Sequence, residues 1–215
     1  MGRPREHGDQ TRDALLSAAA AVLHSEGPAA ISVRRVADEA GTSTRAVYSL
    51  FGDKSGLLTA LAHEAAEIMR RHHEAVPEED DPVDELPGLV LAYRAAALER
   101  PHLYGIYLGE GVDLDHDTQA LYYRSFDRVL RTLRRAAASG RLGGHDPVDV
   151  GRHLWALVHG LASLELKGFL GDPARARQLW LESLAATLRG YADSPVRRER
   201  HNDAHDRRGA AARTS

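Results

Sequence analysis

Apolar residues recur along this chain at intervals of three and four, the spacing of helices that each bury one face. Leu15, Ala18, Ala19, Val22 and Leu23 form the first stripe, from about Asp9 to Glu26, and Gly27-Pro28 closes it. A shorter stripe of Val33, Val36, Ala37 and Ala40 stops at Gly41, because glycine takes the left-handed conformation that ends helices. The pattern restarts at once, with Thr42 and Ser43 as hydroxyl caps and Val47, Leu50 and Phe51 facing inward. Two short helices joined by so tight a turn predict a helix-turn-helix, with the first helix packed across both to give a three-helix head over residues 9–53.

The remaining pattern is also helical. Lys54 to about Ala75 carries Leu57, Leu58, Leu61, Ala65 and Ile68 inward, and the charged stretch Pro77-Glu-Glu-Asp-Asp-Pro82 reads as a solvated loop. Periodicity resumes from about Val83 to Arg100, and a brief aromatic helix follows Pro101 and ends near Gly109. Asp113-Leu-Asp115-His-Asp117 departs from a calcium loop at Thr118 and Arg124 and instead caps a helix from about Thr118 to Ser139. Two long helices, from about Pro147 to Leu170 and from about Pro173 to Tyr191, are apolar on more than one side. The expected fold is all-α, about nine helices, with a body over residues 54–191. A basic flexible arm, 1–8, and a disordered tail, 192–215, flank it.

Charge and composition narrow the chemistry. Without cysteine there is neither a disulfide framework nor a thiolate metal site, and no apolar run reaches membrane-spanning length, so a cytoplasmic protein without membrane contact is expected. Residues 1–58 carry seven basic and seven acidic side chains, so DNA binding would require the positive groups to gather on one face. The outward residues of the helix-turn-helix suit that role. Thr42, Ser43, Thr44 and Arg45 cluster at the start of the second helix, where a groove-reading helix places its base contacts. Tyr48 lies one turn on, and Lys54 opens the next helix as a point charge for the phosphate backbone. Ser32 caps the first short helix, beside Arg34, and Arg3 and Arg5 belong to an arm that fits either a minor-groove contact or a plain terminus. A solvated helical hairpin without nucleic acid would show the same spacing.

The run VRRVADEAGTSTRAVYSLFGDKSGLL, Val33 to Leu58, resembles the DNA-binding signature of the TetR family of bacterial transcriptional regulators, and the likeness extends upstream through Thr11 to Ile31. Trp155-Ala-Leu-Val-His159-Gly160 is similar to the WHG motif of one C-terminal subgroup of that family. The resemblance implies a homodimer that binds a double-stranded DNA operator and answers to a small-molecule effector. It also implies that Ser32 faces phosphate. Thr44 stands where a basic or small residue is usual, which bears on base preference and not on fold.

Tyr93, Tyr104, Tyr107, Tyr123, Phe126, Trp155 and His159 are candidates to line an effector pocket, an apolar cavity with a few hydrogen-bonding groups. Taken singly, each reads first as a core residue with ordinary hydrogen-bond partners, and it is the group together that suggests a pocket. Leu157, Leu161, Leu164, Trp180, Leu184 and Leu188 on the last two helices are the candidate dimer interface, each subunit giving the same pair to a four-helix contact. Nothing points to catalysis. There is no nucleophile motif or phosphate loop, His63-Glu64 lacks the second histidine of a zinc helix, and no metal or cofactor is expected. A helical ligand-binding or adaptor dimer without specific DNA binding is the alternative, and the polar cluster from Thr42 to Arg45 argues against it.

Overall fold

The structure is a computed structural model that describes residues 3–107 and 116–193; the side chains of residues 3–7, 28, 106, 107 and 118 fall outside that description. The roles expected of Arg3, Arg5 and Tyr107 therefore lie outside the described side chains, and the tail from residue 194 lies outside the described residues. Ten α-helices follow one another: α1 (Arg3–Glu26), α2 (Val33–Glu39), α3 (Thr44–Phe51), α4 (Lys54–Glu74), α5 (Pro82–Glu99), α6 (Pro101–Tyr107), α7 (His116–Ser125), α8 (Asp127–Ala138), α9 (Pro147–Leu166) and α10 (Pro173–Asp193). The basic segment expected as a separate arm forms the first turns of α1.

Short polar side chains start these helices. Ser32, Ser43 and Asp53 each accept a hydrogen bond from a backbone N–H of the first turn of α2, α3 and α4. Three later helices open on Asp-Pro. Asp81, Asp146 and Asp172 cap, while Pro82, Pro147 and Pro173 stand where a helix has no use for an N–H. The turn between α2 and α3 closes with Thr42 N–H on the Ala37 carbonyl at 2.9 Å and Gly41 N–H on Asp38 at 3.2 Å, with Gly41 at φ 64°. A side chain there would be strained, which is why the sequence turns at this glycine.

The head buries the stripe read from α1 together with Val36, Ala37, Val47 and Leu57, and the core continues without a break through Leu61, Met69, Leu89 and Tyr93 into the body. One buried charge cluster fastens the α4–α5 connection to α8. The Glu85 carboxylate accepts from Arg128 at 2.7 Å, Thr132 at 2.8 Å, the Glu79 N–H at 3.0 Å and Arg135, while Arg128 also donates to the Pro77 carbonyl. Burial would raise the Glu85 pKa, but these donors outweigh it and hold the carboxyl at about 2.

Two expected boundaries differ. The single helix from Thr118 to Ser139 is two, broken at Phe126, because the Ser125 carbonyl is engaged by the ring of His73 on α4 at 2.8 Å. The ninth helix stops at Leu166, where Phe169 N–H turns back to the Leu164 carbonyl and Gly168 takes φ 78°.

Candidate DNA-binding interface and ligand cleft

Val47 is fully buried and pins α3 to the head, leaving Ser43, Thr44, Arg45 and Tyr48 exposed and Thr42 half-buried. Arg45 makes no ion pair among the described residues. Ser32 and Arg34 are exposed at the start of α2, and Arg34 is only loosely paired with Asp38 at 4.0 Å. Lys54 is exposed at the start of α4. Arg35 is different, because its guanidinium bridges Glu26 and Glu39 at 2.7 Å each and so ties α1 to α2. Within the head, Arg35 is thus tied up in internal pairs, while Arg34, Arg45 and Lys54 face outward.

The position of α3 depends on a residue that carries no polar chemistry. A Cβ on Gly56, in the first turn of α4, would stand 2.0 Å from the Phe51 carbonyl oxygen at the end of α3. Only glycine lets the two helices meet so closely, and the Asp53 carboxylate fixes the turn by accepting from the Gly56 N–H at 2.9 Å. Arg12 of α1 lies 5.8 Å from the centre of the Phe51 ring. A glycine inside a helical stretch was the available signal for this contact.

In the body, α7, α8 and α9 enclose a cleft of about 440 Å³. Phe126, Val129, Leu130 and Leu133 form one wall and Val148, Gly151 and Trp155 the other, with Gln119, Tyr122, Tyr123 and Arg152 at the polar edge. Tyr123 (75% exposed) and Trp155 (45%) stand at its mouth. Among the described residues Arg152 is the one charged side chain of the lining, and Asp149 pairs with it at 2.7 Å. Burial pushes the Tyr122 hydroxyl well above its ordinary pKa.

Of the expected pocket residues, Tyr123, Phe126 and Trp155 line this cleft. Tyr93, Tyr104 and His159 do not. They form a chain in the core, with Tyr93 Oη 3.0 Å from Tyr104 Oη and that hydroxyl 2.9 Å from His159 Nδ1. Burial raises the Tyr93 hydroxyl to about 12. Behind the cleft a void of about 30 Å³ is lined by Phe126 and Trp155 together with His73, Leu89 and Tyr93. Tyr122 falls on the apolar stripe with Phe126 but is not among the expected pocket residues, and neither are Gln119 and Arg152, because a stripe marks an inner face and not the edge of a cleft.

The candidate interface residues also divide. Leu157, Leu161 and Leu188 are half-buried and Leu164 is 45% exposed, whereas Trp180 and Leu184 are buried within this chain. Trp180 donates through Nε1 to Glu165 at 2.8 Å and packs 6.3 Å from the Tyr93 ring, so its surface is already spent on the subunit's own core. Among the described residues no helix is long and apolar enough to cross a membrane.

A helix-turn-helix head continuous with an all-helical body that holds an apolar cleft is the architecture of a DNA-binding transcriptional regulator, and the family matches assign the chain to that class. Residues 15–61 match the family model described as bacterial regulatory proteins, tetR family, and residues 86–188 the model described as tetracyclin repressor-like, C-terminal domain. The chain belongs to the TetR family. Its fold is shared with a protein of unknown function from Rhodococcus sp. RHA1, at 27% identity over 85% of this chain and 95% of the other, TM-score 0.71. It is likewise similar to the TetR family transcriptional regulator PfmR from Thermus thermophilus, at 24% identity over 81% and 97%, TM-score 0.69. A TetR family regulator from Marinobacter aquaeolei VT8 matches at 20% identity over 85% and 97%, TM-score 0.72. No curated protein matches the chain.

Proposed function

We propose that this regulator is a repressor that binds a near-palindromic operator as a homodimer and is released when a small molecule enters the cleft between α7, α8 and α9. The observation that carries the reading is the cleft's position and lining. Its apolar walls meet Phe126, which sits at the α7–α8 break and within ring contact, 6.0 Å, of His73 on α4. The same helix begins against α3 at Gly56, so one rigid element runs from cleft to recognition helix. With the charge of Arg152 paired by Asp149 and the described walls apolar, the cleft suits an uncharged or weakly polar molecule.

A ligand acts on DNA binding only through unequal affinities for the DNA-fitting and non-fitting dimer, so the coupling is reciprocal. Mapping bound chromosomal fragments supplies the operator, and small molecules are then scored for release of that duplex. For an effector found this way, titration with and without operator should give affinities that differ by roughly 5- to 150-fold. Equal affinities would disconnect the cleft from the head. Retained DNA occupancy and lowered transcription of the neighbouring genes on deletion would identify an activator instead.

A further inference from the structure

His73 is a buried polar residue near the C-terminal end of α4, 1% exposed. Its Nδ1 lies 2.8 Å from the Ser125 carbonyl, which can only accept, so Nδ1 carries the proton and donates. Ser125 ends α7, and the next residue turns the chain: Phe126 N–H goes back to the Tyr123 carbonyl, and the Phe126 carbonyl starts the ladder of α8 by accepting from Leu130. Phe126 is also shared by the outer cleft and the inner void, and it packs edge-on against Trp155 with ring centres 6.0 Å apart. One hydrogen bond therefore joins the cleft's hinge point to the helix that begins beneath the recognition helix.

We propose that His73 is the positioning residue that relays the state of the cleft to α4, acting through the Ser125 carbonyl. The inference rests on the reading that the cleft is the effector site. A molecule seated between Phe126 and Trp155 that shifts the Phe126 backbone at the α7–α8 break also shifts the Ser125 carbonyl, which shares its peptide unit, and the His73 ring is held to that carbonyl. Burial lowers the His73 pKa and keeps the ring neutral, so the donor geometry is unchanged through the neutral pH range.

The relay runs in both directions, which permits a test without the effector. The chain has two tryptophans, Trp155 at the cleft mouth and the fully buried Trp180, so acrylamide quenching of fluorescence reports mainly Trp155. The probe is a duplex selected from random DNA with the full-length protein. In the native protein, duplex binding should change the quenching of Trp155. His73→Phe keeps a ring of similar size and removes the donor; it should bind the duplex yet lose that change. His73→Asn places an amide N–H where Nδ1 stands and should restore it. His73→Leu lacks the donor too and serves if the phenyl ring impairs folding, judged by thermal melting. A DNA-dependent change that survives in His73→Phe or His73→Leu, or that stays lost in His73→Asn, overturns the relay alone. Absence of any change in the native protein overturns the effector reading together with the relay.

Discussion

Arg45 and Arg35 lie ten residues apart in a head with as many acids as bases, and the structure gives them opposite duties. Arg35 is consumed by Glu26 and Glu39, whose hydrogen bonds hold its pKa above the ordinary arginine value. Arg45 has no such partner among the described residues and stands in the first turn of α3, where base contacts are made. Arg45→Ala should lower specific operator affinity by roughly 1–3 kcal/mol and relax base preference at one position in a gel-shift series; unchanged affinity and preference would remove it from the interface. A second residue-scale prediction concerns Glu85. Its folded pKa of about 2 lies below the ordinary 4.5, so its contribution is complete above pH 4.5 and is lost as the pH falls toward 2. That contribution is on the order of 3 kcal/mol. Glu85→Gln leaves Arg128 buried without a counter-charge and should cost roughly 3–5 kcal/mol at pH 7. Urea unfolding of both proteins at pH 7, 4.5 and 3 checks this, since the mutant should lose less stability than the native chain on acidification.

Between elements, close approach decides what a helix can do. The ideal Cβ of Gly56 meets backbone oxygen and not the end of a flexible side chain, so Gly56→Ala has to push α4 away from α3. The expected outcome is a loss of roughly 1–3 kcal/mol in stability and weaker binding to every DNA sequence, because the recognition helix is displaced without losing a contact residue. A variant that melts and binds like the native protein would show that the two helices can part freely. The same scale explains how far the sequence could be read. Stripes of apolar residues and the Ser, Asp and Asp-Pro caps fix where most helices begin and which face they bury, and those signals are local. The break at Phe126 left no local mark, since Phe126, Val129, Leu130 and Leu133 continue one stripe across it without glycine or proline. It is made at the Ser125 carbonyl by His73, 52 residues away from that serine. Likewise, periodicity assigns Tyr93 and Tyr104 to an inner face but cannot tell a hydroxyl that closes a core chain from one that edges a cleft, such as Tyr122.

On the whole molecule, α9 and α10 are apolar on two faces, and the described residues cover one of them. Val150, Leu154, Val158 and Ala162 of α9 turn inward with Ala176, Trp180 and Leu184 of α10. Ala156, Gly160 and Leu164 of α9 and Ala185 and Ala186 of α10 are exposed, with Leu157, Leu161 and Leu188 half-buried beside them. A Cβ on Gly160 would meet no packed atom of the described residues within 4 Å, so none of them requires a glycine there. An isologous contact with a second copy would bury this face and set two α3 helices to meet half-sites about 34–36 Å apart or slightly more. Leu164→Glu puts the idea at risk cleanly. At a site 45% exposed it should cost the isolated subunit less than about 0.5 kcal/mol, while in the dimer it buries an unpaired charge. Sedimentation should show monomers with a native circular dichroism spectrum, and a two-half-site operator should then bind no more tightly than a single half-site. Trp180→Ala serves as the contrast, because it empties this subunit's own core and should fail by unfolding, at roughly 3–5 kcal/mol, whatever the oligomeric state. If Leu164→Glu sediments as an intact dimer, the subunits join elsewhere and the open face of α9 and α10 needs another occupant.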